Sequence, residues 1–198
     1  MIDTKQKILD TAERLFGEQG FDATSLRQII SEAGVNLAAI HYHFGSKEEL
    51  LDELVQRKAA PVNDERLAML DRALAAAGDG PLAIEPVLEA FLMPMAVLGP
   101  STGRVMGRLL AEGLMPKLAK RHFGGVIQRF QSALERSLPH LAPEELGWRM
   151  HFMMGSLALT MSGHPIFVPG GGEGVDLADR LRHLVTFLSG GFRAPESR

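Results

Sequence analysis

Apolar residues recur along this chain at intervals of three and four positions, which is the period of a helix with one buried face. Ile8, Ala12, Leu15 and Phe16 follow this period, and Gly20 stands where such a helix is expected to end. No stretch alternates with a period of two for long enough to predict a strand. We therefore expect an all-α fold. The predicted helices cover residues 4–19, two short segments within 20–46, a fourth helix from 47 onward, and 86–98, 101–113, 117–138, 143–163 and 176–192.

Prolines and glycines mark the interruptions expected in this helical pattern. Ala59-Ala60-Pro61 lies within the fourth helix and predicts either a kink or a break there. Pro94 predicts a kink in the helix over 86–98. The Gly- and Pro-rich stretch over 165–174 is expected to form the loop between the last two helices.

Residues 20–50 combine two short helices with a tight glycine turn. Gly34 can adopt the left-handed backbone conformation that such a turn requires, and Asn36 is a favourable cap for the helix that follows. Ser25 and Ser46 each stand three residues before a Gln or Glu, which is the pattern of a capping box. Two helices joined in this way predict a helix-turn-helix, whose second helix enters the major groove of DNA.

The second helix of this motif offers small and polar side chains to DNA. Ala38 and Ala39 permit close approach to the bases and can contact a thymine methyl group, and Asn36 can read adenine, cap the helix, or do both. Side chains at the helix ends are candidates for phosphate contacts. The predicted DNA-binding residues are Thr24, Ser25, Arg27, Asn36, Leu37, Ala38, Ala39, His41, Tyr42, His43 and Lys47.

Residues 8–50 resemble the DNA-binding domain of TetR-family transcriptional regulators. One position departs from the family pattern, because many members carry tyrosine where this chain has His41. Segments 35–40, 42–47, 148–155 and 161–163 further resemble the PsrA-type subgroup, which comprises fatty-acid-responsive repressors of lipid-metabolism genes. The family resemblance rests on Ala12, Leu15-Phe16, Gly20-Phe21, Thr24-Ser25-Leu26, Ile29, Ala33-Gly34-Val35, Tyr42-His43-Phe44 and Ser46-Lys47-Glu48-Glu49-Leu50.

The resemblance implies a DNA-binding domain over residues 1–50 and a helical ligand-binding and dimerisation domain over residues 51–198. It implies a repressor that binds a palindromic operator in double-stranded DNA as a homodimer and responds to a small apolar effector, with a fatty acid or acyl-CoA as the expected class. Helices rich in Met, Leu and Phe fit a pocket for such a ligand. The expected pocket residues are Leu88, Phe91, Leu92, Met95, Met106, Leu110, Phe130, Trp148, His151 and Phe152. Two apolar stripes on the last two helices fit a dimer interface made of Leu146, Met150, Met153, Leu157, Met161, Leu181, Leu184 and Leu188.

The charge of the chain changes how the predicted DNA binding would work. The chain has 198 residues and a net charge of −3, a balance that by itself argues mildly against a nucleic-acid partner. The first 50 residues contain 5 Lys and Arg against 8 Asp and Glu, and the predicted recognition helix contains no Lys or Arg. The helix-turn-helix motif is stronger evidence for a nucleic-acid partner than the net charge is against one. Phosphate contacts are therefore expected from helix N-termini, backbone N–H groups and hydroxyls.

Composition and missing motifs narrow the other classes of function. The chain has no cysteine, which excludes disulfides, thiolate zinc sites and thiol nucleophiles. We expect no cofactor and no metal site. We also expect no membrane segment, because no run of about eighteen apolar residues occurs. The N-terminal residues lack a signal-peptide pattern, so we expect a cytoplasmic protein. The alternative is a helical lipid or small-molecule carrier, or an enzyme, that uses the apolar cavity alone. Against it, His-Glu-x-x-His is absent, and a carrier would not need the helix-turn-helix.

Overall fold

Helices form most of the chain in the computed structural model, which describes residues 3–98, 100–162, 168 and 174–196. No residue in these described ranges lies in a strand, so the all-α prediction is confirmed. The helices are α1 (Thr4–Gln19), α2 (Leu26–Ala33), α3 (Leu37–His43), α4 (Lys47–Ala77), α5 (Ile84–Leu92), a 3-10 helix (Met93–Val97), α6 (Pro100–Ala111), α7 (Met115–His122), α8 (Gly124–Ser137), α9 (Pro143–Ser162) and α10 (Leu177–Arg193).

Helices α1, α2 and α3 pack around one apolar core and form the N-terminal unit. Ile8, Phe16, Ile29 and Ile40 are all buried in this core, so each of the three helices contributes at least one anchoring side chain. Gly34 ends α2 with a φ of 63°, a left-handed conformation that glycine adopts without steric cost. This turn sets the direction of α3, and the helix-turn-helix geometry predicted from the sequence is present.

Side-chain caps fix where α2, α3 and α4 begin. Ser25 Oγ and Ser46 Oγ each accept a hydrogen bond, at 3.1 Å, from the backbone N–H three residues later. Asn36 Oδ1 accepts the equivalent bond at 2.9 Å. Each bond satisfies an N–H group that the first turn of a helix leaves without a backbone partner. The three predicted helix starts are therefore confirmed.

Helix α4 runs without a break for 31 residues and passes through Pro61. The proline removes one backbone hydrogen bond, but it lies exposed, so water can solvate the carbonyl group that loses its donor. Ala59 and Val62 on either side of the proline are buried against the rest of the protein and keep the helix in place. The break that we considered at this point is therefore wrong, and one helix joins the N-terminal unit to the remainder of the chain.

Two further helices differ from the pattern that the sequence predicts. The predicted helix over 117–138 is two helices, α7 and α8, which meet at Phe123. Gly124 and Gly125 follow directly, and glycine has a low helix propensity that favours such an interruption. The predicted helix over 86–98 ends at Leu92, and Pro94 lies within the 3-10 helix that continues it. Proline has no N–H group to donate at this position, which explains the change of helix type.

Helices α4 to α10 form a second bundle, in which α9 packs on α6 and α10, and α10 also packs on α5. Arg149 of α9 is buried and forms hydrogen bonds with the end of α10. Its Nη1 donates to the carbonyl oxygens of Phe192 and Ala194, each at 2.8 Å. Glu145 balances this charge, with Oε1 2.7 Å from Nη2. Among the described residues, no helix is long and apolar enough to span a membrane.

Candidate nucleic-acid interface and internal cavity

Helix α3 turns one face to the core and the other to solvent. Ile40 is buried, whereas Leu37, Ala38, His41 and Tyr42 are exposed on the outer face. Tyr42 is the most prominent of them, with 86% of its surface accessible. This outer face has the size and side-chain chemistry of a surface that reads base edges in a major groove.

Polar groups at the two ends of α3 have defined roles. Asn36 caps the helix through Oδ1, which is one of the two roles predicted for it. His41 Nδ1 lies 3.0 Å from the carbonyl oxygen of Gly45. A carbonyl oxygen only accepts hydrogen bonds, so Nδ1 carries the proton and the outward Nε2 is the acceptor of a neutral ring. His43 is partly buried, and its ring lies 5.0 Å from that of Tyr42.

Two of the predicted phosphate contacts lie inside the N-terminal unit instead. Thr24 is fully buried, and its hydroxyl donates to the carbonyl oxygen of Gly20 at 2.8 Å. Lys47 Nζ donates to the carbonyl oxygens of Phe21 and Thr24, each at 3.0 Å, and lies 4.3 Å from the centroid of the Phe21 ring. These groups hold the turn between α1 and α2 together, so we correct the prediction for both residues.

Few positive charges in the N-terminal unit are available for DNA. Lys5 pairs with Glu53 at 2.8 Å, and Arg14 pairs with Glu18 at 3.0 Å and with Glu32. Hydrogen bonding from Arg14 lowers the pKa of the Glu32 carboxyl group, so that pair is ionised near neutral pH. Among the described residues up to position 50, the cations that form neither an ion pair nor a side-chain hydrogen bond are Lys7 and Arg27, and both are exposed.

A cavity of about 720 Å³ lies within the second bundle. Side chains of α4, α5, α6, α8 and α9 and of the 3-10 helix line it, and most are aliphatic, aromatic or methionine. The volume falls in the range of about 300–1,000 Å³ that is usual for small-molecule sites. Helix α4 thus contributes a wall of the cavity and, at its other end, packs against the N-terminal unit.

The structure sorts the predicted pocket residues into three groups. Leu88, Phe91, Met95, Met106, Phe130 and His151 line the cavity. Leu92 is fully buried in the core but does not line the cavity. Trp148 and Phe152 lie on the outer face of α9, away from the cavity, so the prediction for these three residues is corrected. The side chain of Leu110 lies outside the described part of the structure.

The pocket residues predicted from the sequence do not include two charged groups of the cavity wall. Lys58 and Arg66, both on α4, line it together with His151. Arg66 is 4% exposed, and its Nε donates to the carbonyl oxygen of Phe91 at 2.8 Å. A signal was present, because Arg66 stands four residues from Val62 and from Leu70, which are both buried on the same face of α4.

A polar cluster joins the cavity wall to α1. Lys58 Nζ lies 2.8 Å from Oε2 of Glu13, a buried residue of α1. The other oxygen of that carboxylate accepts a hydrogen bond from the hydroxyl of Thr102 on α6. Arg108 of α6 adds a second tie, because its Nε donates to the carbonyl oxygen of Gly17 at 3.0 Å. The N-terminal unit is therefore held to the second bundle by named ion pairs and hydrogen bonds.

Both stripes predicted for a dimer interface face the interior of the subunit. Leu146, Met153, Leu157 and Met161 of α9 and Leu181, Leu184 and Leu188 of α10 are buried, and Met150 is partly buried and lines the cavity. A side chain enclosed by its own subunit has no surface left for a partner, so this prediction is corrected. The outer faces of the same helices instead expose Trp148, Phe152, Leu159 and Phe187, and of these Leu159 also lines the cavity.

Comparison with known proteins identifies both halves of this architecture. Residues 8–54 match the model of the bacterial regulatory proteins of the tetR family, and residues 89–191 match the model of the tetracyclin repressor-like C-terminal domain. This chain belongs to the TetR family. The resemblance drawn from residues 8–50 is thereby confirmed. TetR-family members are DNA-binding transcriptional regulators, so the prediction that the chain is not an enzyme is confirmed as well.

Individual relatives of this TetR-family chain are similar over part of their length. AcrR of Shigella flexneri is 40% identical over 65 residues, which are 33% of this chain and 30% of AcrR. The nicotine-responsive repressor HdnoR of Paenarthrobacter nicotinovorans is 32% identical over 94 residues, which are 48% of this chain and 46% of HdnoR. These matches cover less than half of each relative. The solved structure of the fatty acid degradation regulator FadR from Bacillus halodurans has the same fold, with a TM-score of 0.66 at 16% identity over 98% of this chain and 99% of FadR.

Proposed function

We propose that this TetR-family chain is a ligand-responsive repressor that binds a palindromic operator in double-stranded DNA as a homodimer. The observation that carries the proposal is that α4 packs on α1 of the N-terminal unit, which carries the exposed helix α3, and also lines the large apolar cavity. The proposed division is a DNA-binding domain over 1–50 and a ligand-binding and dimerisation domain over 51–198. The boundary falls within α4, so one continuous helix belongs to both. The proposed DNA contacts are Ser25, Arg27, Asn36, Leu37, Ala38, Ala39, His41, Tyr42 and His43.

The proposed effector is a small apolar molecule that occupies the cavity. The methionines at positions 95, 106, 150, 153 and 154 give its wall flexible side chains that adapt to ligands of different shape. A fatty acid or acyl-CoA is the class that we propose, because segments 35–40, 42–47, 148–155 and 161–163 resemble the PsrA-type subgroup. Binding would shift the population of conformers and thereby the distance between two α3 helices in a dimer. We place this action in the cytoplasm.

The proposed dimer interface is the exposed apolar face of α9 and α10. Trp148, Phe152 and Leu159 recur on α9 at helical spacing, and Phe187 of the neighbouring α10 is 70% exposed. Gly155 lies in the same stripe of α9 and would allow a partner helix to approach closely. Large aromatic side chains exposed together on one face are typical of protein interfaces. A twofold axis here would present two α3 helices about 34–36 Å apart, or a multiple of that distance, to successive major grooves.

A mobility-shift assay tests operator binding. The DNA is the promoter fragment upstream of the gene of this protein, and a scrambled fragment of equal length is the control. We expect the full chain to prefer the promoter fragment, and Tyr42→Ala to weaken that binding by about 1–3 kcal/mol. Since Tyr42 lies almost entirely in solvent, the circular dichroism spectrum and the melting temperature should not change. Equal affinity of the wild-type chain for both fragments would refute the proposal that the chain is a repressor.

Sedimentation velocity tests the dimer. We expect the wild-type chain to sediment as a dimer and Phe187→Glu to sediment as a monomer, because the buried charge would lose its hydration. Val97→Glu is the matched control, since Val97 is an apolar residue outside α9 and α10 that is even more exposed than Phe187. A monomeric wild-type chain, or a dimeric Phe187→Glu variant, would show that the proposed surface is not the interface.

A further inference from the structure

Arg66 is a buried cation in the wall of an apolar cavity. Its guanidinium carbon lies 4.2 Å from the centroid of the Phe91 ring, and Nε donates to the carbonyl oxygen of Phe91. Nη1 donates to Oδ1 of Asn63 at 3.2 Å. These two hydrogen bonds leave Nη2 without a hydrogen-bond acceptor among the described residues. The group is therefore only partly satisfied by the protein.

No carboxylate in the described part of the chain balances the charge of Arg66. Among the described lining residues, the other two ionisable groups are Lys58 and His151, and none is Asp or Glu. Burial lowers the pKa of Arg66 to about 10, which still leaves the guanidinium group charged at neutral pH. Burying a charge is costly unless an opposite charge or several hydrogen bonds compensate it. A cavity with this wall favours an anion.

Structural support of α5 accounts for only part of this arrangement. Phe91 lies in the last turn of α5, where carbonyl groups have no partner within the helix, so a donor at position 66 stabilises the end of α5. A neutral donor such as glutamine could supply that bond without the cost of a buried charge. The charge itself, and the free Nη2, remain to be explained by a ligand.

We propose that Arg66 binds the anionic head group of the effector, and that this effector is a carboxylate with a hydrocarbon tail. The tail fills the apolar part of the cavity, and the carboxylate accepts a hydrogen bond from Nη2. Among the cationic side chains of the described wall, Arg66 is the one with no carboxylate partner, because Lys58 is already paired with Glu13. This inference rests on the proposed function of the cavity as the effector site, and it adds that the effector carries a free carboxylate and that Arg66 recognises it.

Calorimetric titration of the full chain with three probes of equal tail length tests whether the cavity prefers an anionic ligand. The probes are decanoate, decan-1-ol and decyltrimethylammonium. We expect decanoate to bind at least about tenfold more tightly than decan-1-ol, the size expected of a hydrogen bond to a charged group. Decyltrimethylammonium should bind more weakly than both, since Arg66 repels it. Equal affinities for decanoate and decan-1-ol in the wild-type chain would overturn the proposal without any variant.

Variants of Arg66 and Lys58 test which of these two cations binds the carboxylate of the ligand. Arg66→Gln should lose at least about tenfold in decanoate affinity while its affinity for decan-1-ol stays nearly unchanged, and Arg66→Lys should keep a preference for decanoate. Lys58→Gln is the matched control and should retain the preference. A preference for decanoate that survives Arg66→Gln and disappears in Lys58→Gln would assign the anion to Lys58 and overturn the proposal. Promoter binding of the ligand-free chain is measured separately, so failure of the repressor and failure of the anion site are distinguishable.

Discussion

Lys58 on the cavity wall lies 2.8 Å from Glu13 in α1, so one ion pair spans from the cavity to the N-terminal unit. Glu13 is nearly buried, and its second oxygen accepts the hydrogen bond from Thr102 of α6. Three helices therefore meet at a single carboxylate. Because α1 is part of the proposed DNA-binding domain, we expect this contact to pass a change in the position of α4 at the cavity to that domain.

Removing one member of this pair should cost more than removing both. Lys58→Met leaves the Glu13 carboxylate buried beside Thr102 alone, and we expect it to lower the free energy of unfolding by about 1–3 kcal/mol. Adding Glu13→Gln should restore part of that loss, since no unpaired charge then remains. Urea denaturation of the two single variants and the double variant measures the coupling. Strictly additive losses would mean that the two side chains do not act as a pair.

Substitution of Lys47 should lower the stability of the protein, whereas substitution of Arg27 should weaken only DNA binding. Lys47→Met removes two hydrogen bonds to carbonyl groups, so we expect a loss of about 1–3 kcal/mol in unfolding free energy. Arg27 is exposed, so Arg27→Met should leave the melting temperature unchanged and weaken DNA binding. Thermal denaturation and the mobility-shift assay are run on both variants. A stable Lys47→Met protein that binds DNA poorly would return Lys47 to the phosphate contacts.

The dependence of operator affinity on salt should be shallow. If Lys7 and Arg27 are the cations that contact phosphate, a dimer makes four such contacts, and the slope of log affinity against log salt concentration should be about −4. Arg27→Ala should reduce its magnitude by about 2, because the variant removes one contact from each subunit. Fluorescence anisotropy at several salt concentrations gives both slopes. A wild-type slope of about −8 or steeper would require cations beyond those two.

Asp52 should make the docking of α7 on α4 sensitive to acid. Burial opposes ionisation of this carboxyl group, but hydrogen bonds from His122, at 2.9 Å, and from Arg121, at 2.9 Å, outweigh that effect and lower its pKa. A carboxyl group whose pKa is lowered by folding stabilises the protein above its unfolded pKa, near 3.9, and loses this effect as the pH falls through its folded value.

The pH dependence can be isolated with one variant. Asp52→Asn should reduce the free energy of unfolding by about 1–3 kcal/mol at pH 7, because the charged acceptor of two hydrogen bonds is lost. The difference between variant and wild type should shrink as the pH is lowered below about 4. Urea denaturation from pH 7 to pH 3 measures it. A difference that stays constant over this range would contradict the assignment.

Local signals made the N-terminal unit predictable. The glycine at position 34 and the caps at positions 25, 36 and 46 act within a few residues of the chain, so the sequence shows them directly. The role of Lys47 could not be found in this way. Its Nζ binds carbonyl groups 26 and 23 residues earlier in the chain, and their position depends on how α1, α2 and α4 pack.

The two apolar faces of α9 show a second feature that the helical period of the sequence cannot predict. This helix carries two apolar stripes, with Leu146, Met153 and Leu157 on one face and Trp148 and Phe152 on another. Both stripes satisfy the helical period, and a pattern does not state whether a stripe is covered by its own subunit or by another molecule. The packing of α6 and α10 against α9 decides it. That is why the residues predicted for the interface are buried or partly buried within the subunit, whereas two residues predicted for the pocket, Trp148 and Phe152, are exposed.

The absence of Lys and Arg from α3 has a consequence for the search of the genome. Attraction to DNA of arbitrary sequence is almost entirely electrostatic, and a surface with few cations binds such DNA weakly. Most copies of the regulator would then stay unbound rather than be held on the very large excess of competing sites. Occupancy of the operator would depend on base contacts such as that of Tyr42, and a small number of molecules per cell would be enough to keep the operator filled.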